Sequence, residues 1–132
     1  MHRHRGYAQP RARWRTGRGW VVRARVERFV EPAVLLLLRE GPRHGYELLD
    51  SIPQLAGEAG VDIGNLYRML RALEAEGLVS SEWSADLPGP AKRTYRLTDA
   101  GKRLLTRWAG ALREVDDGIT RFLNRYDETE RG

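Results

Sequence analysis

Within residues 61–97 the hydrophobic period changes from helical to alternating over a few residues, and few folds accommodate that change in so short a stretch. The stretch reads VDIGNLYRMLRALEAEGLVSSEWSADLPGPAKRTYRL. Ile63, Leu66, Leu70, Leu73 and Gly77 recur at steps of three and four, which places them on one face of a helix. Asp62 is suited to accept an orphan N–H at its start, and Gly77 to end it in the left-handed conformation. Gly64, Arg68, Arg71 and Ala75 occupy the opposite face, flanked by Asn65 and Tyr67. Such a helix can dock on a core and turn its N-terminal half toward base edges and phosphates. The same pattern also fits an ordinary amphipathic surface helix with solvated arginines.

The residues that follow favour the first reading. Val79, Ser81 and Trp83 alternate with Ser80 and Glu82, and Thr94 and Arg96 alternate with Tyr95 and Leu97, giving two strands of period two. Pro88, Gly89 and Pro90 between them require a turn or loop, and Lys92 and Arg93 stand where that loop rejoins the sheet. A reading helix followed by a hairpin with a basic return strand is a winged helix-turn-helix. Asn65, Tyr67, Arg68, Arg71, Lys92 and Arg93 are therefore the candidate contacts to double-stranded DNA. Tyr67 is divided between touching DNA and packing on the wing.

At 132 residues the chain has room for one modest core, and its 41% apolar content suits a globular protein. It has no cysteine, which excludes disulfides, thiolate metal sites and a cysteine nucleophile, and a cytoplasmic setting is expected. No apolar run is long enough to span a bilayer, so no membrane association is expected. The charge is unevenly placed. Eight arginines, from Arg3 to Arg25, precede the first acid, Glu27, so residues after the tail sum to −3 although the whole chain carries +5. Overall basicity is thus weak evidence for nucleic-acid binding by the folded part. Residues 1–25 read as a basic, disordered tail. It is either an arm along the DNA backbone, or a solubilising segment or product of an upstream start. His2 and His4 lie in it without further ligands, so no metal is assigned.

Residues 26–97 form the expected winged-helix domain. Pro32 fits a first helical turn, Ala33 and the apolar run through Leu38 favour a buried helix over a strand, and Gly41 stops it. Pro42, Arg43, His44 and Gly45 then turn the chain. A short helix over residues 46–52 would use Tyr46, Leu49 and Ile52 as core contacts and end before Pro53. Residues 55–60 would make the turn into the reading helix. Residues 98–126 form the last element, with Thr98 as N-cap. Leu105, Trp108, Leu112, Val115, Ile119, Phe122 and Tyr126 follow at alternating steps of three and four, a heptad seam. At about 1.5 Å per residue the helix spans roughly 43 Å and overhangs a small domain. Its seam needs a partner, and a second copy is the simplest one, giving a homodimer and a palindromic operator. Trp108 and Leu112 could alternatively wall an effector pocket. Residues 127–132 are expected to fray.

The motifs EPAVLLLLREGPRHGYELL, GNLYRMLRALEAEGLVSSEW and GPAKRTYRLTDAGKRLL, in that order, resemble those of PadR-like transcriptional regulators. The likeness covers residues 29–126. It implies a dimeric repressor of the short type, mainly α with a small β-hairpin, carrying one long C-terminal dimerisation helix. It also implies release by a small hydrophobic or aromatic effector, and no cofactor. Arg68 departs from the proline that many members carry after the Leu-Tyr pair. No catalytic residue is assigned: no Ser, Cys or Asp constellation surrounds His44, and Asp116 and Asp117 diverge on their helix. The alternative to DNA binding is a winged helix used for protein–protein assembly.

Overall fold

The computed structural model describes residues 13–22, 29–56, 61–84 and 92–132. Two strands, β1 (Arg13–Thr16) and β2 (Gly19–Val22), form an antiparallel hairpin. After them come α1 (Val30–Glu40), β3 (Arg43–His44), α2 (Gly45–Ala56), α3 (Ile63–Ala75), β4 (Val79–Ser84), β5 (Lys92–Leu97) and α4 (Asp99–Arg131). The last three strands make one antiparallel sheet in the order β3-β5-β4. This is the expected winged helix-turn-helix with a long C-terminal helix.

The core is built where the three helices meet the inner face of the sheet. Val34, Leu35 and Leu38 from α1, Leu48 and Ile52 from α2, Leu66, Leu70 and Leu73 from α3, and Val79 and Tyr95 from the strands form one buried cluster. Pro32 lies in the first turn of α1, where a missing N–H breaks no intrahelical bond. Arg43 closes the far end of α1, its Nε donating to the Leu37 carbonyl at 3.0 Å and Nη2 meeting Glu40 at 3.1 Å. Helix α3 begins and ends as its sequence requires. The Asp62 carboxylate accepts from the Asn65 N–H at 2.7 Å. At the other end Gly77 takes φ +77°, and the Leu78 and Gly77 N–H groups bond the Leu73 and Glu74 carbonyls at 2.9 and 3.0 Å. That pair of bonds is a Schellman motif, which only a left-handed residue at Gly77 permits at low cost.

Several expectations are corrected. Helix α2 does not stop at Ile52 but continues through Pro53 to Ala56. Pro53 is exposed and close to the C-terminus, so the loss is confined to the last turns, and packing of the adjacent Leu48 and Ile52 holds the helix. Tyr46 is not core: it is 66% exposed. It lies two residues from Leu48, about 200° round the helix from the buried stripe. Arg43 and His44 are not merely a turn but a third strand, paired with Tyr95 and Thr94. Two residues are too few for a strand period to show in sequence. The stretch expected to fray is helical to Arg131, and Tyr126 Oη donates to Glu130 at 2.8 Å along that end. Within the tail expected to be disordered, residues 13–22 are the β1–β2 hairpin, turned at Gly17 and Arg18 with Gly19 at φ +110°. Residues 1–12, the α2–α3 connection at 57–60 and the wing loop with Pro88, Gly89 and Pro90 lie outside the described residues.

Helix α4 leaves the wing through a close contact. Thr98 Oγ1 accepts from the Gly101 N–H at 3.1 Å and donates to the Gly77 carbonyl at 2.7 Å. Gly101 is buried beside Leu78 and the end of β5, where an added Cβ would overlap the Leu78 carbonyl oxygen and the Leu97 side chain. Gly101→Ala gains about 1 kcal/mol of helix propensity. Overpacking against fixed backbone costs about 1–3 kcal/mol and should win. A lowered thermal midpoint by circular dichroism is the expected outcome; an unchanged or raised midpoint would show that the junction yields.

Candidate nucleic-acid interface

The exposed face of α3 is organised from its cap outward. Asp62 holds the Asn65 backbone N–H with one carboxylate oxygen and accepts from Asn65 Nδ2 at 3.0 Å with the other. Asn65 Oδ1 in turn accepts from Arg68 Nη2. Cap, amide and guanidinium thus form one chain along the N-terminal half of the helix, and Asn65, Arg68 and Arg71 are exposed. Tyr67 turns away from this row. It is half-buried, and a Cβ at Gly45 would come within 2.7 Å of its hydroxyl. Tyr67 therefore packs over the bare backbone at the start of α2, a neighbour that sequence spacing did not suggest.

The wing lies beside the C-terminal half of α3. Register pairs Val79 with Leu97, Ser81 with Tyr95 and Trp83 with Arg93, and these six share the face that carries buried Val79 and Tyr95. Ser80, Glu82, Ser84, Lys92, Thr94 and Arg96 take the other face, where Arg96 pairs with Glu82 at 3.3 Å. The two expected wing cations consequently diverge: exposed Lys92 is on the outer face and Arg93 on the side of α3. Ser81 Oγ lies 3.0 and 2.8 Å from the Glu74 carboxylate oxygens and accepts from Arg93 Nε at 2.8 Å. The Arg93 guanidinium carbon stands 5.2 Å from the Trp83 ring centroid, a cation–π distance. Trp83 is on that side and 62% exposed. His44 Nδ1 lies 3.3 Å from both the Arg93 carbonyl oxygen and Thr94 Oγ1, so the third strand braces the wing at this point. The link between Glu74 and Ser81 was not legible in the sequence. The Trp83–Arg93 pairing would follow from the hairpin register, had the length of the wing loop been known.

Helix α4 is divided into two halves. Leu105, Trp108 and Leu112 are half-buried against their own chain, and Trp108 Nε1 donates to Glu31 Oε2 on α1 at 2.8 Å. Between α1, α2 and α4 an apolar cleft of about 370 Å³ is lined by Pro32, Leu36, Leu55, Leu105, Trp108 and Leu112, among others. Farther out, Val115, Ile119, Phe122, Leu123 and Tyr126 are each about half exposed or more.

The sequence profile of the transcriptional regulator PadR-like family matches residues 34–107, more than half of the chain, and the protein belongs to that family. It is 39% identical over 79 residues to the transcriptional regulator Rv3488 of Mycobacterium tuberculosis, a match covering 60% of this chain and 61% of that relative's length. Among solved structures it is similar to a PadR family transcriptional regulator from Eggerthella lenta, with TM-score 0.56, 30% identity, and coverage of 68% of this chain and 80% of that one. It is also similar to Bacillus subtilis PadR in complex with operator DNA, with TM-score 0.55, 28% identity, and coverage of 64% of this chain and 48% of that one. No helix among the described residues is long and apolar enough to cross a membrane.

One group between α3 and the wing is electrostatically distinctive. Burial pushes the Tyr95 phenol above its ordinary range; Arg93 opposes this shift, while Tyr67 and Glu74 add to it. A raised folded-state value favours the neutral phenol. Its contribution is complete below the unfolded value near pH 10 and is lost as pH rises through the folded value. Urea titrations at pH 8 and pH 10.5 should show a steeper alkaline loss of stability in the wild type than in Tyr95→Phe. Parallel losses in the two proteins would remove Tyr95 from the alkaline transition.

Proposed function

We propose that this regulator is a dimeric, sequence-specific DNA-binding repressor of a palindromic operator, released by a small hydrophobic or aromatic effector. The observation that carries the reading is the exposed Asp62–Asn65–Arg68 chain on the first turns of α3, flanked by a wing with a cation on each face. The operator complex of the B. subtilis relative supports DNA as the partner. Asn65, Arg68 and Arg71 are the proposed contacts from α3, and Lys92 and Arg93 those from the wing. The half-buried position of Tyr67 favours a supporting role for it. Arg68 can present two donors to guanine O6 and N7, a contact worth about 1–3 kcal/mol of discrimination. Arg68→Ala should relax preference at one position per half-site in selection from a randomised duplex pool. Equal weakening across all sequences would make Arg68 a phosphate contact instead.

Dimerisation is supported by the outer half of α4. Five large apolar side chains there face water, and burying each would contribute about 1.5–3 kcal/mol. The cleft beside Leu105, Trp108 and Leu112 adjoins this row, so one apolar surface runs from α1 outward along α4. A second copy laid on it would pair the long helices about a two-fold axis, and the two α3 helices could enter successive major grooves about 34 Å apart. Changing Leu112 and Ile119 to Asp should give a monomer by light scattering, with specific DNA binding lost. A monomeric wild type at micromolar concentration that still binds its selected sequence tightly would defeat the reading. The cleft also stands where α4 meets the winged domain. A hydrophobic occupant beside Trp108 and Leu112 would alter the angle between them, and with it the spacing of the two reading helices.

A further inference from the structure

Arg93 sits in unusual surroundings for a cation on a wing. It is an exposed arginine engaged on two sides before any ligand arrives. Its Nε donates to Ser81 Oγ at 2.8 Å, and its guanidinium lies over the exposed Trp83 ring at 5.2 Å. Ser81 is able to serve Arg93 because a hydroxyl accepts and donates at once: it accepts from Nε while its own proton goes to the Glu74 carboxylate. Glu74 belongs to α3, so the chain Glu74–Ser81–Arg93 runs from the reading helix to the wing. His44 lies beside the Arg93 carbonyl oxygen and braces the same residue from the third strand.

We propose that Glu74, Ser81 and Trp83 form a prearranged seat that holds the Arg93 guanidinium against a DNA phosphate beside the recognition helix. The seat occupies Nε and one face of the guanidinium, and the two Nη groups are free of it to form the fork that a phosphate accepts. A free arginine side chain loses rotamer freedom on binding, and a seat that orders it beforehand reduces that loss. Glu74, Ser81 and Trp83 act through Arg93 and are positioning residues. Lys92, on the opposite face of β5, has no part in the seat, so its contribution is independent. The inference rests on the DNA-binding reading above.

The test uses the full chain and a fluorescently labelled duplex of random sequence, about 30 base pairs long, titrated by anisotropy at several salt concentrations. Each phosphate contact contributes about 0.9 to the slope of log affinity against log salt, so Arg93→Ala should lower that slope by about one per protomer. Ser81→Ala should weaken binding about fivefold, the size expected of one hydrogen bond, with the slope retained. Trp83→Leu should act in the same direction and Ser81→Thr should bind as the wild type. In an Arg93→Ala background neither Ser81→Ala nor Trp83→Leu should weaken binding further. Losses that multiply in the double variants, or single variants that bind as the wild type, would overturn the seat. Thermal melts identify any variant that loses folding, and exposed Trp83 provides a second route to the arginine if Ser81→Ala does. A wild type without salt-dependent affinity for duplex would instead sink the DNA-binding reading itself. Binding without coupling to Arg93 sinks only the seat.

Discussion

One hydroxyl links the end of α3 to the start of α4. Thr98 Oγ1 receives the Gly101 N–H at the start of α4 and donates to the carbonyl of Gly77, the residue that terminates α3. The direction of the long helix is thereby set relative to the helix with the exposed Asn65 and Arg68. Gly101 makes the arrangement possible, because any side chain at that position would meet the Leu78 carbonyl oxygen. Two short-range requirements, a cap at Thr98 and a bare backbone at Gly101, therefore govern a geometry that extends along the whole of α4.

The rest of the domain fixes what this junction connects. Leu66, Leu70 and Leu73 bury one side of α3 and leave its cap chain facing outward. Ser81 and Glu74 tie the wing to the same helix, and Tyr67 fills the space over Gly45 between α3 and α2. On the other side Trp108 and Glu31 tie α4 to the start of α1 and leave an apolar cleft beside them. Helix α3, the wing and the first turns of α4 are consequently parts of one packed body. Among the described residues the outer half of α4 makes local side-chain bonds, and there the apolar residues stand open.

Among the elements, those with a sustained pattern and matching end signals were legible, and those without were not. Helix α3 was bounded correctly because Asp62, the three-four stripe and Gly77 all specify the same segment. The hairpin of β4 and β5 was legible because two alternating runs flank Pro88, Gly89 and Pro90. Pro53 marks an end to α2 in the sequence but not in the fold, since the local penalty is visible in sequence and the packing of Leu48 and Ile52 that outweighs it is not. Strand β3 has no pattern of its own and exists because β5 offers it an edge.

By itself the sequence determined the order of the four helices and the β4–β5 hairpin, the apolar stripe of α3, the caps at Asp62 and Thr98, and the heptad row of α4. These depend on residues within a few positions of each other, where backbone geometry alone relates sequence to space. The tertiary structure decided how that row is shared: Leu105 and Trp108 pack on the core of the same chain, Leu112 lines the cleft beside α1, and the outer residues stay exposed. It also decided that Tyr67 packs inward, that Trp83 stays largely exposed, and that Lys92 and Arg93 lie on opposite faces with Arg93 linked to Glu74 through Ser81. The Arg93–Ser81 and Trp108–Glu31 hydrogen bonds join residues 12 and 77 positions apart. Whether such pairs meet depends on how helices and strands are packed, which no local periodicity encodes.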